Sequence, residues 1–396
     1  MTVTVIGVDG ANLPPGGAEA LSRASLVLGG ERQLRIHAPP GTPTVVIGQL
    51  RPALDTLDAH TGPAVVLASG DPGFFGILRS LRERGVGLVV LPAVSSVQRI
   101  AAAAGRSWDD VAVVSAHGRE LRPALNVCRA RPAVAVLTAP GAGPAELAEG
   151  LAGWRRTLVV GEDLGGETES VSIVDLETAA RRSWRDPNIV LCLRDPGQVP
   201  ARGWLAGGAP DKVGWALPEE SFAHRDGMVT KSEVRALVLA KLAPRPGTLV
   251  WDLGSGSGSV AVECARLGAA VIAVDRDPVQ CARTEANAVA HTVDVRVEHT
   301  DAESGVDLPT PDAVFVGGGG PGVVAAATLS GARRVVVALA AVDRIAPTRV
   351  VLESAGYRVD GCQLSAARFA DLPGGSTRLA AVNPVTVMWG MSGESS

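Results

Sequence analysis

The sequence predicts an α/β protein of two domains, and three observations lead to that prediction. The chain has 396 residues, which is enough for two or three domains with ample cores. Short apolar runs recur along it, separated by stretches with helical spacing. A segment rich in Gly and Pro interrupts this pattern, so we predict domains at 1–198 and 218–396 joined by a linker at 199–217.

The N-terminal domain is predicted from apolar runs that are short enough to be strands. Eight of them precede the linker, which indicates a separate α/β unit of two lobes. These runs are TVTVIGV, SLVLGG, AVVLASG, GLVVLP, DVAVVSA, AVAVLTA, TLVVGE and NIVLCL.

The C-terminal domain is predicted from a strand, a glycine loop, a helix and a second strand that follow one another between Gly247 and Pro278. The run 249–253 suits a buried parallel strand, and the second strand ends in Asp275. A carboxylate at that place accepts hydrogen bonds from ribose hydroxyls. This order of elements predicts a doubly wound, Rossmann-like sheet that binds a nucleotide or nucleoside.

The spacing of the glycines distinguishes between two candidate ligands for this pocket. The loop reads GSGSG, whereas a dinucleotide fingerprint carries its third glycine one residue later, where this chain has Ser259. Asp252 lies two residues before the first glycine, and this pattern is typical of class I methyltransferases that use S-adenosylmethionine (SAM). A nicotinamide or flavin ligand, or a loop without a ligand, remains the alternative.

Ligands of open parallel sheets bind beyond the carboxyl ends of the strands, and these ends supply further candidates. We expect Asp301 and Ala302 at the adenine, and Gly317, Gly318 and Gly319 where a large flat substrate approaches the backbone, unless that loop is only a flexible connector. Five residues before and within the first helix of the domain are expected to cap the pocket, with a solvated helix start as the alternative; they are His224, Arg225, Thr230, Lys231 and Arg235. His224 and Lys231 are the catalytic candidates, although methyl transfer to an electron-rich carbon depends mainly on positioning.

Composition argues against several classes of partner. The net charge is −4 and no run of Lys or Arg stands out, which disfavours nucleic-acid binding. No apolar stretch is long enough to cross a bilayer and no secretory leader is evident, so we expect a cytoplasmic protein. The five cysteines form no CxxC pair, so we expect neither disulfides nor a metal site.

The N-terminal half resembles the tetrapyrrole methylase family in its cobalamin-pathway branch. The resemblance rests on VVLASGDPGFFG at 65–76, LPAVSSVQRIAAAAG at 91–105 and SAHGR at 115–119. The C-terminal half, with GMVTKSEVR, WDLGSGSGS, DAVFVGGGG and VNPV, is similar to the partner methyltransferase of the same pathway. The resemblance implies two SAM-dependent methylations, at meso carbons 5 and 15 of a reduced tetrapyrrole, and decarboxylation of the acetate on ring C. It assigns carbon 15 and the decarboxylation to the C-terminal domain.

The resemblance also implies site residues and two SAM sites, one in each domain. The residues matching donor-binding positions are Gly70, Asp71, Pro72, Ser95 and Ser96 in the first domain and Thr230, Gly254, Ser255, Gly256, Ser257, Gly258, Asp275 and Ala302 in the second. For Asp71, bracing of its turn is the alternative. His117 and Arg119 are expected to meet substrate carboxylates, with a local salt bridge as the alternative, and Arg235 is a further substrate candidate. Stand-alone relatives of the second domain imply a homotetramer.

Two other functions remain open from the residues alone. One is a nucleotide-dependent oxidoreductase with a Rossmann domain, which would retain a dinucleotide. The other is a scaffold whose glycine loops still bind SAM without catalysis.

Overall fold

The computed structural model describes residues 2–199, 206–207, 214–225, 229–304 and 307–393. The chain forms two compact units, Met1–Arg119 with Ala133–Gly207 and Glu120–Pro132 with Gly208–Ser396. Much of the predicted linker, 199–217, lies outside the described residues, so the proposed domain boundaries stay a prediction. No helix in the described ranges is long and apolar enough to span a membrane.

The first unit begins with a parallel five-stranded sheet in the order β3-β2-β4-β1-β5. Its elements are β1 (Thr2–Val8), α1 (Gly17–Ser22), β2 (Leu26–Gly29), α2 (Glu31–His37), β3 (Thr44–Val46), α3 (Leu50–Asp58), β4 (Ala64–Ser69), α4 (Leu78–Glu83), β5 (Gly87–Leu91) and α5 (Ser96–Ala103). Strands β1, β2 and β4 are buried almost throughout, and core clusters lie on both faces of the sheet. Burial on both faces explains why these strands read as continuous apolar runs.

A second, mixed sheet completes this unit, in the order β6-β7-β10-β8-β9. The chain runs through β6 (Ala112–Ser115), α6 (Leu121–Ala130), β7 (Ala133–Leu137), α7 (Pro144–Gly150), β8 (Thr157–Glu162), β9 (Ser170–Asp175), α8 (Leu176–Arg181) and β10 (Asn188–Leu193). Helix α6 groups with the second unit. Two sheets confirm the predicted two lobes, and all eight predicted strands are present. The sequence reading missed β3 and β9, which together with β5 are the least buried strands of this unit.

The second unit is built on a seven-stranded sheet in the order β13-β12-β11-β14-β15-β19-β16. Its elements after α6 are α9 (Ser232–Leu242), β11 (Leu249–Leu253), α10 (Ser259–Arg266), β12 (Ala270–Asp275), α11 (Pro278–Ala290), β13 (Arg296–His299), β14 (Ala313–Val316), α12 (Pro321–Leu329), β15 (Arg334–Leu339), α13 (Ile345–Ser354), β16 (Tyr357–Leu364), β17 (Ala367–Asp371), β18 (Thr377–Ala381) and β19 (Val385–Ser392). The first five strands in this order are parallel, and β19 pairs antiparallel with both β15 and β16. Strands β17 and β18 form a separate hairpin.

The strand order of this sheet reverses between β11 and β14, because β12 lies on one side of β11 and β14 on the other. In open α/β sheets a crevice forms at such a reversal, outside the carboxyl ends of the strands. The predicted doubly wound domain is therefore confirmed. Its topology alone places the loops that follow β11 and β14 next to each other.

Candidate functional site

The glycine loop after β11 has the backbone that its sequence predicts. Gly254, Gly256 and Gly258 have φ values of 69°, 56° and 68°, in the left-handed region that favours glycine. A Cβ on Gly258 would lie 2.5 Å from the side chain of Thr284, and one on Gly254 would lie 3.2 Å from the backbone of Gly318. The loops after β11 and β14 therefore meet, and glycine is favoured by φ at both places and also by lack of space at Gly258.

A cavity of about 750 Å³ lies at this point of the sheet. Its volume is within the range of about 300–1,000 Å³ that is usual for small-molecule sites. Most of the residues predicted for the C-terminal site line it, namely Arg225, Thr230, Lys231, Gly254, Ser255, Gly256, Ser257, Asp275, Asp301, Ala302, Gly317, Gly318 and Gly319. Four separate strand ends and the segment before α9 thus meet around one space.

Asp275 ends β12 and faces the glycine loop. Its Oδ2 accepts a hydrogen bond from Gly256 N at 2.8 Å, and its Oδ1 accepts one from Asp277 N at 2.9 Å. A carboxylate offers about four lone-pair positions, so roughly two remain for further donors. Asp275 can therefore brace the loop and still bind two hydroxyl groups of a ribose.

Asp252 lies near the end of β11 and is almost completely buried, with an exposed fraction of 1%. Its Oδ2 accepts a hydrogen bond from Ala261 N at 3.0 Å in the first turn of α10, and its Oδ1 has no partner in the described parts of the chain. Burial raises the pKa of Asp252 to about 7, and the charge of Asp275 adds to the increase. The sequence identified Asp252 as part of a motif but gave no sign of this altered titration.

Two of the predicted cap residues do not reach the cavity. Arg235 has an exposed fraction of 0%, and its guanidinium donates to the carbonyls of Thr230 and Leu217 and pairs with Glu263. Its predicted role as a substrate contact is therefore corrected: Arg235 holds the backbone of Thr230, which does line the cavity.

His224, a catalytic candidate, also lies away from the cavity lining. Its Nδ1 is 2.9 Å from the carbonyl oxygen of Phe222, so the ring is tied to its own loop. Of the two catalytic candidates, only Lys231 lines the cavity.

The structure adds cavity residues that sequence reasoning missed. They comprise Arg276, Asp277, Gln280, Glu303 and Phe315, together with Val382, Asn383 and Val385 before and at the start of β19. The last three belong to the VNPV stretch, which the family resemblance quoted without assigning it a role. A signal existed for Arg276, because it directly follows the predicted ribose-binding acid. Asn383 was beyond prediction, since only the antiparallel return of β19 brings it to this edge.

The first unit contains a smaller cavity of about 150 Å³. Of the five donor-binding residues implied for this half, Gly70 and Ser96 line it. Ser95 instead caps α5, since its Oγ accepts from Gln98 N and its own N donates to the Gln98 side chain. Pro72 contributes to the same turn as Gly70, and Asp71 Oδ1 accepts from Gly73 N at 2.8 Å. The bracing role left open for Asp71 is thus present in the structure.

Two ion pairs surround the small cavity and were not anticipated. Arg99 of α5 binds the carboxylate of Asp9 after β1, and Arg32 of α2 binds that of Asp163 after β8. Hydrogen bonds from Thr168 hold the pKa of Asp163 below its usual value, and the charge of Arg32 adds to the decrease. The partners are 90 and 131 residues apart in sequence, so no local pattern indicated them.

His117 and Arg119 lie in the exposed loop after β6. Within the described ranges neither of them forms a salt bridge, so the alternative of a local ion pair is not supported. The Arg119 guanidinium instead lies 5.7 Å from the centre of the Phe75 ring.

Comparisons with known proteins show which families the chain matches. Residues 3–180 match the family described as Tetrapyrrole (Corrin/Porphyrin) Methylases, and residues 220–390 match the Precorrin methyltransferase domain. The chain is 37% identical over 346 residues to the precorrin-6Y C(5,15)-methyltransferase (decarboxylating) of Sinorhizobium sp, a match that covers 81% of this chain and 78% of the relative.

Two shorter relatives each match part of the chain. A probable cobalt-precorrin-6B C(15)-methyltransferase (decarboxylating) of Pyrobaculum aerophilum is 35% identical over 184 residues, covering 43% of this chain and 93% of the relative. A cobalt-precorrin-7 C(5)-methyltransferase of Salmonella typhimurium is 32% identical over 179 residues, covering 43% of this chain and 88% of the relative. The first of these relatives is named for methylation at carbon 15 and the second for methylation at carbon 5, and the name of the Sinorhizobium protein contains both.

Proposed function

This chain belongs to the family of precorrin-6Y C(5,15)-methyltransferases (decarboxylating), and from that premise we propose that it performs this reaction in cobalamin biosynthesis. It transfers methyl groups to carbons 5 and 15 of a precorrin-6 tetrapyrrole and removes carbon dioxide from the ring C acetate. The observation that carries the proposal is the 37% identity to the Sinorhizobium enzyme across 81% of this chain.

The proposal assigns carbon 15 and the decarboxylation to the second unit, and carbon 5 to the first. Two distant carbons of a rigid macrocycle cannot both face one methyl donor without rebinding, which favours two separate sites. The two shorter relatives support this division, because each is named for one of the methylations and matches 43% of the chain.

SAM fits the residues of the larger cavity, and its sulfonium supplies a methyl group to a nucleophilic carbon when it is bound. The loop backbone of Gly254 and Gly256 would hold its amino-acid part, and the free lone pairs of Asp275 would accept the ribose hydroxyls. The buried Ala302 would leave room for the adenine. A dinucleotide would require a glycine in place of Ser259.

The remaining lining of the larger cavity suits a flat polycarboxylate. The loop at Gly317 and Gly318 presents backbone without side chains, so the edge of a macrocycle can come close. Arg225, Lys231 and Arg276 line the same space and would pair with peripheral carboxylates. The imine system of the macrocycle accepts the electrons released by decarboxylation, so the protein has only to orient the acetate and exclude water around it.

The test is mass spectrometry of the product formed from precorrin-6Y, SAM and the purified chain. We expect a gain of two methyl groups and the loss of one carbon dioxide. A product that gains no methyl group, or a purified protein that releases a dinucleotide on denaturation, would contradict the proposal. Protein that retains SAM but leaves every reduced tetrapyrrole unchanged would instead identify a scaffold.

A further inference from the structure

The loop 70–76, which follows β4, presents two adjacent aromatic side chains to solvent. Phe74 and Phe75 have exposed fractions of 38% and 52%, although the chain contains only five phenylalanines. Their ring centres are 5.0 Å apart at an interplanar angle of 80°, the edge-to-face arrangement that aromatic pairs prefer. Exposure of two neighbouring large rings is unfavourable in water and points to a ligand that covers them.

The loop holds these rings in place by short-range contacts. Asp71 Oδ1 accepts from Gly73 N at 2.8 Å, and Phe74 N donates to the carbonyl of Asp71 at 3.1 Å. A Cβ on Gly76 would lie 2.2 Å from the carbonyl oxygen of Pro72, so the turn closes tightly on itself. The rings therefore project from a braced turn.

The backbone of Phe75 also indicates that the exposed rings bind a ligand. Its φ of 52° lies in the left-handed region, which a bulky side chain rarely adopts because its Cβ approaches the following carbonyl. Asn or Gly would fit that backbone with less strain. Unfavourable backbone geometry at an exposed aromatic residue is typical of a functional constraint.

A positive charge accompanies the two rings. The guanidinium of Arg119 lies 5.7 Å from the ring centre of Phe75, within the range of a cation–π contact. Arg119 N donates to the carbonyl of Ala116 at 3.2 Å, and its Nη1 reaches the carbonyl of Ser115 at 3.4 Å. Arg119 pairs with no carboxylate in the described part of the chain, so its fork of donors remains suited to a carboxylate from outside.

The loop that carries the rings begins at the small cavity that is implied to bind the methyl donor. Gly70, the first residue of the loop, lines that cavity, and a Cβ on it would lie 3.1 Å from Ser95 Cα. The same loop therefore contributes both to the cavity and to the exposed pair of rings.

The geometry points to a substrate shelf, formed by Phe74, Phe75 and Arg119, that binds a pyrrole face and a peripheral carboxylate of the tetrapyrrole during methylation at carbon 5. The shelf rests on the proposed function. It joins an apolar, planar surface to a cation, and a flat macrocycle with carboxylates on its rim has both complementary features. These residues position the substrate and set specificity without taking part in bond making.

The test is the substitution Phe75→Asn in the full chain. Asn tolerates the left-handed backbone, so we expect the unfolding temperature to stay the same or to rise, while the ring that covers the substrate is lost. The KM of precorrin-6Y for methylation at carbon 5 should rise at least about tenfold, as expected for the loss of one stacked ring. SAM affinity should be unchanged, and a product with one methyl group added and one carbon dioxide lost should accumulate.

Two further variants complete the test. Arg119→Gln should raise the same KM. Added salt should raise the KM of the wild-type but not that of this variant, because salt screens the charge of Arg119. Ile173→Thr is the matched control, because it alters an apolar side chain of the same unit that is exposed to 63%, and its KM should equal that of the wild-type.

The outcomes separate the shelf from the proposed function. If the wild-type adds no methyl group at carbon 5, the proposed function itself fails. If the wild-type does so and Phe75→Asn keeps the same KM, the shelf is wrong. A change in sedimentation behaviour of Phe75→Asn at unchanged KM would assign the rings to a contact between copies of the chain and would overturn the shelf.

Discussion

The cavity at the glycine loop of the second unit and the cavity beside Gly70 in the first unit differ in size and in what surrounds them. The cavity of the second unit measures about 750 Å³, and that of the first about 150 Å³. Ligand sites usually occupy about 300–1,000 Å³, so the cavity of the second unit lies within this range and that of the first unit lies below it. The comparison teaches that the two units of one chain surround their cavities in different ways.

Glycine backbone forms part of the larger cavity, whereas charged side chains line part of the smaller one. At the larger cavity Gly254 approaches Gly318 at the point where the strand order reverses, so the space exists as soon as the sheet forms. At the smaller cavity Arg32 and Arg99 pair with Asp163 and Asp9. We predict that these ion pairs restrict the entry of a donor there.

Asp252 of the second unit and Asp163 of the first have pKa values shifted in opposite directions, and this difference gives the largest expected effect. The native pKa of Asp252 is about 7, well above the value of 3.8 in the unfolded chain, so the native state keeps a proton that the unfolded state loses. Stability of the second unit should therefore fall as the pH rises from about 4 to about 7, by about 4 kcal/mol in total, and then level off. Denaturant unfolding across this pH range measures the fall.

Asp252→Asn is the control for that prediction. Asn still accepts the hydrogen bond from Ala261 N but cannot ionise, so the pH dependence in this range should disappear. An unchanged slope in the variant would assign the effect to other groups. Asp163, whose pKa is lowered, gives the opposite sign: its contribution is present above about pH 4 and is lost as the pH falls further.

The next prediction concerns donor binding at the larger cavity. Asp275→Ala removes a carboxylate that braces Gly256 and faces the expected ribose, so SAM affinity there should fall tenfold or more, for a loss of about 1.5–3 kcal/mol. Calorimetric titration of the full chain with SAM measures it. Asp71→Ala in the first unit is the matched control, and it should leave affinity at the larger cavity unchanged. Equal affinities in wild-type and Asp275→Ala would remove Asp275 from the site.

The smallest expected effect tests whether the ion pairs close the smaller cavity. Asp163→Asn keeps a side chain that tolerates the φ of 50° at this position and removes the charge that binds Arg32. A partly exposed ion pair contributes about 0.5–1 kcal/mol, so SAM affinity of the first unit should rise about two- to fivefold. Titration in the Asp275→Ala background isolates this site. A fall in affinity would mean that the ion pair shapes the site for the donor.

Much of the fold and of the larger site could be predicted from sequence. The glycine loop, Asp275 and the loop at Gly317 were identified because parallel strands bring their carboxyl ends to one edge of a sheet. That rule needs only the order of elements, and apolar runs reveal the order. The same reasoning missed β3 and β9, which are among the least buried strands of the first unit.

The residues of the smaller cavity could be predicted only in part from the sequence. A family resemblance pointed to five residues, of which the structure places Gly70 and Ser96 at the cavity. Ser95 carries the pattern of a helix cap, so its local role was readable in principle from Gln98 three residues later. The ion pair between Arg32 and Asp163 was not readable, because its partners are 131 residues apart.

The sequence by itself determined the α/β units, the glycine-lined crevice and the position of Asp275 in it. These features depend on the spacing of apolar residues and on turn residues, which act over a few positions of the chain. Only the tertiary structure decided that Arg235 is buried against Glu263, that Asp252 holds its proton to about pH 7, and that Arg119 lies over Phe75. The tertiary structure also decided the volumes of the cavities. Burial, charge pairing and enclosed space depend on segments that are distant in sequence, and packing alone brings those segments together.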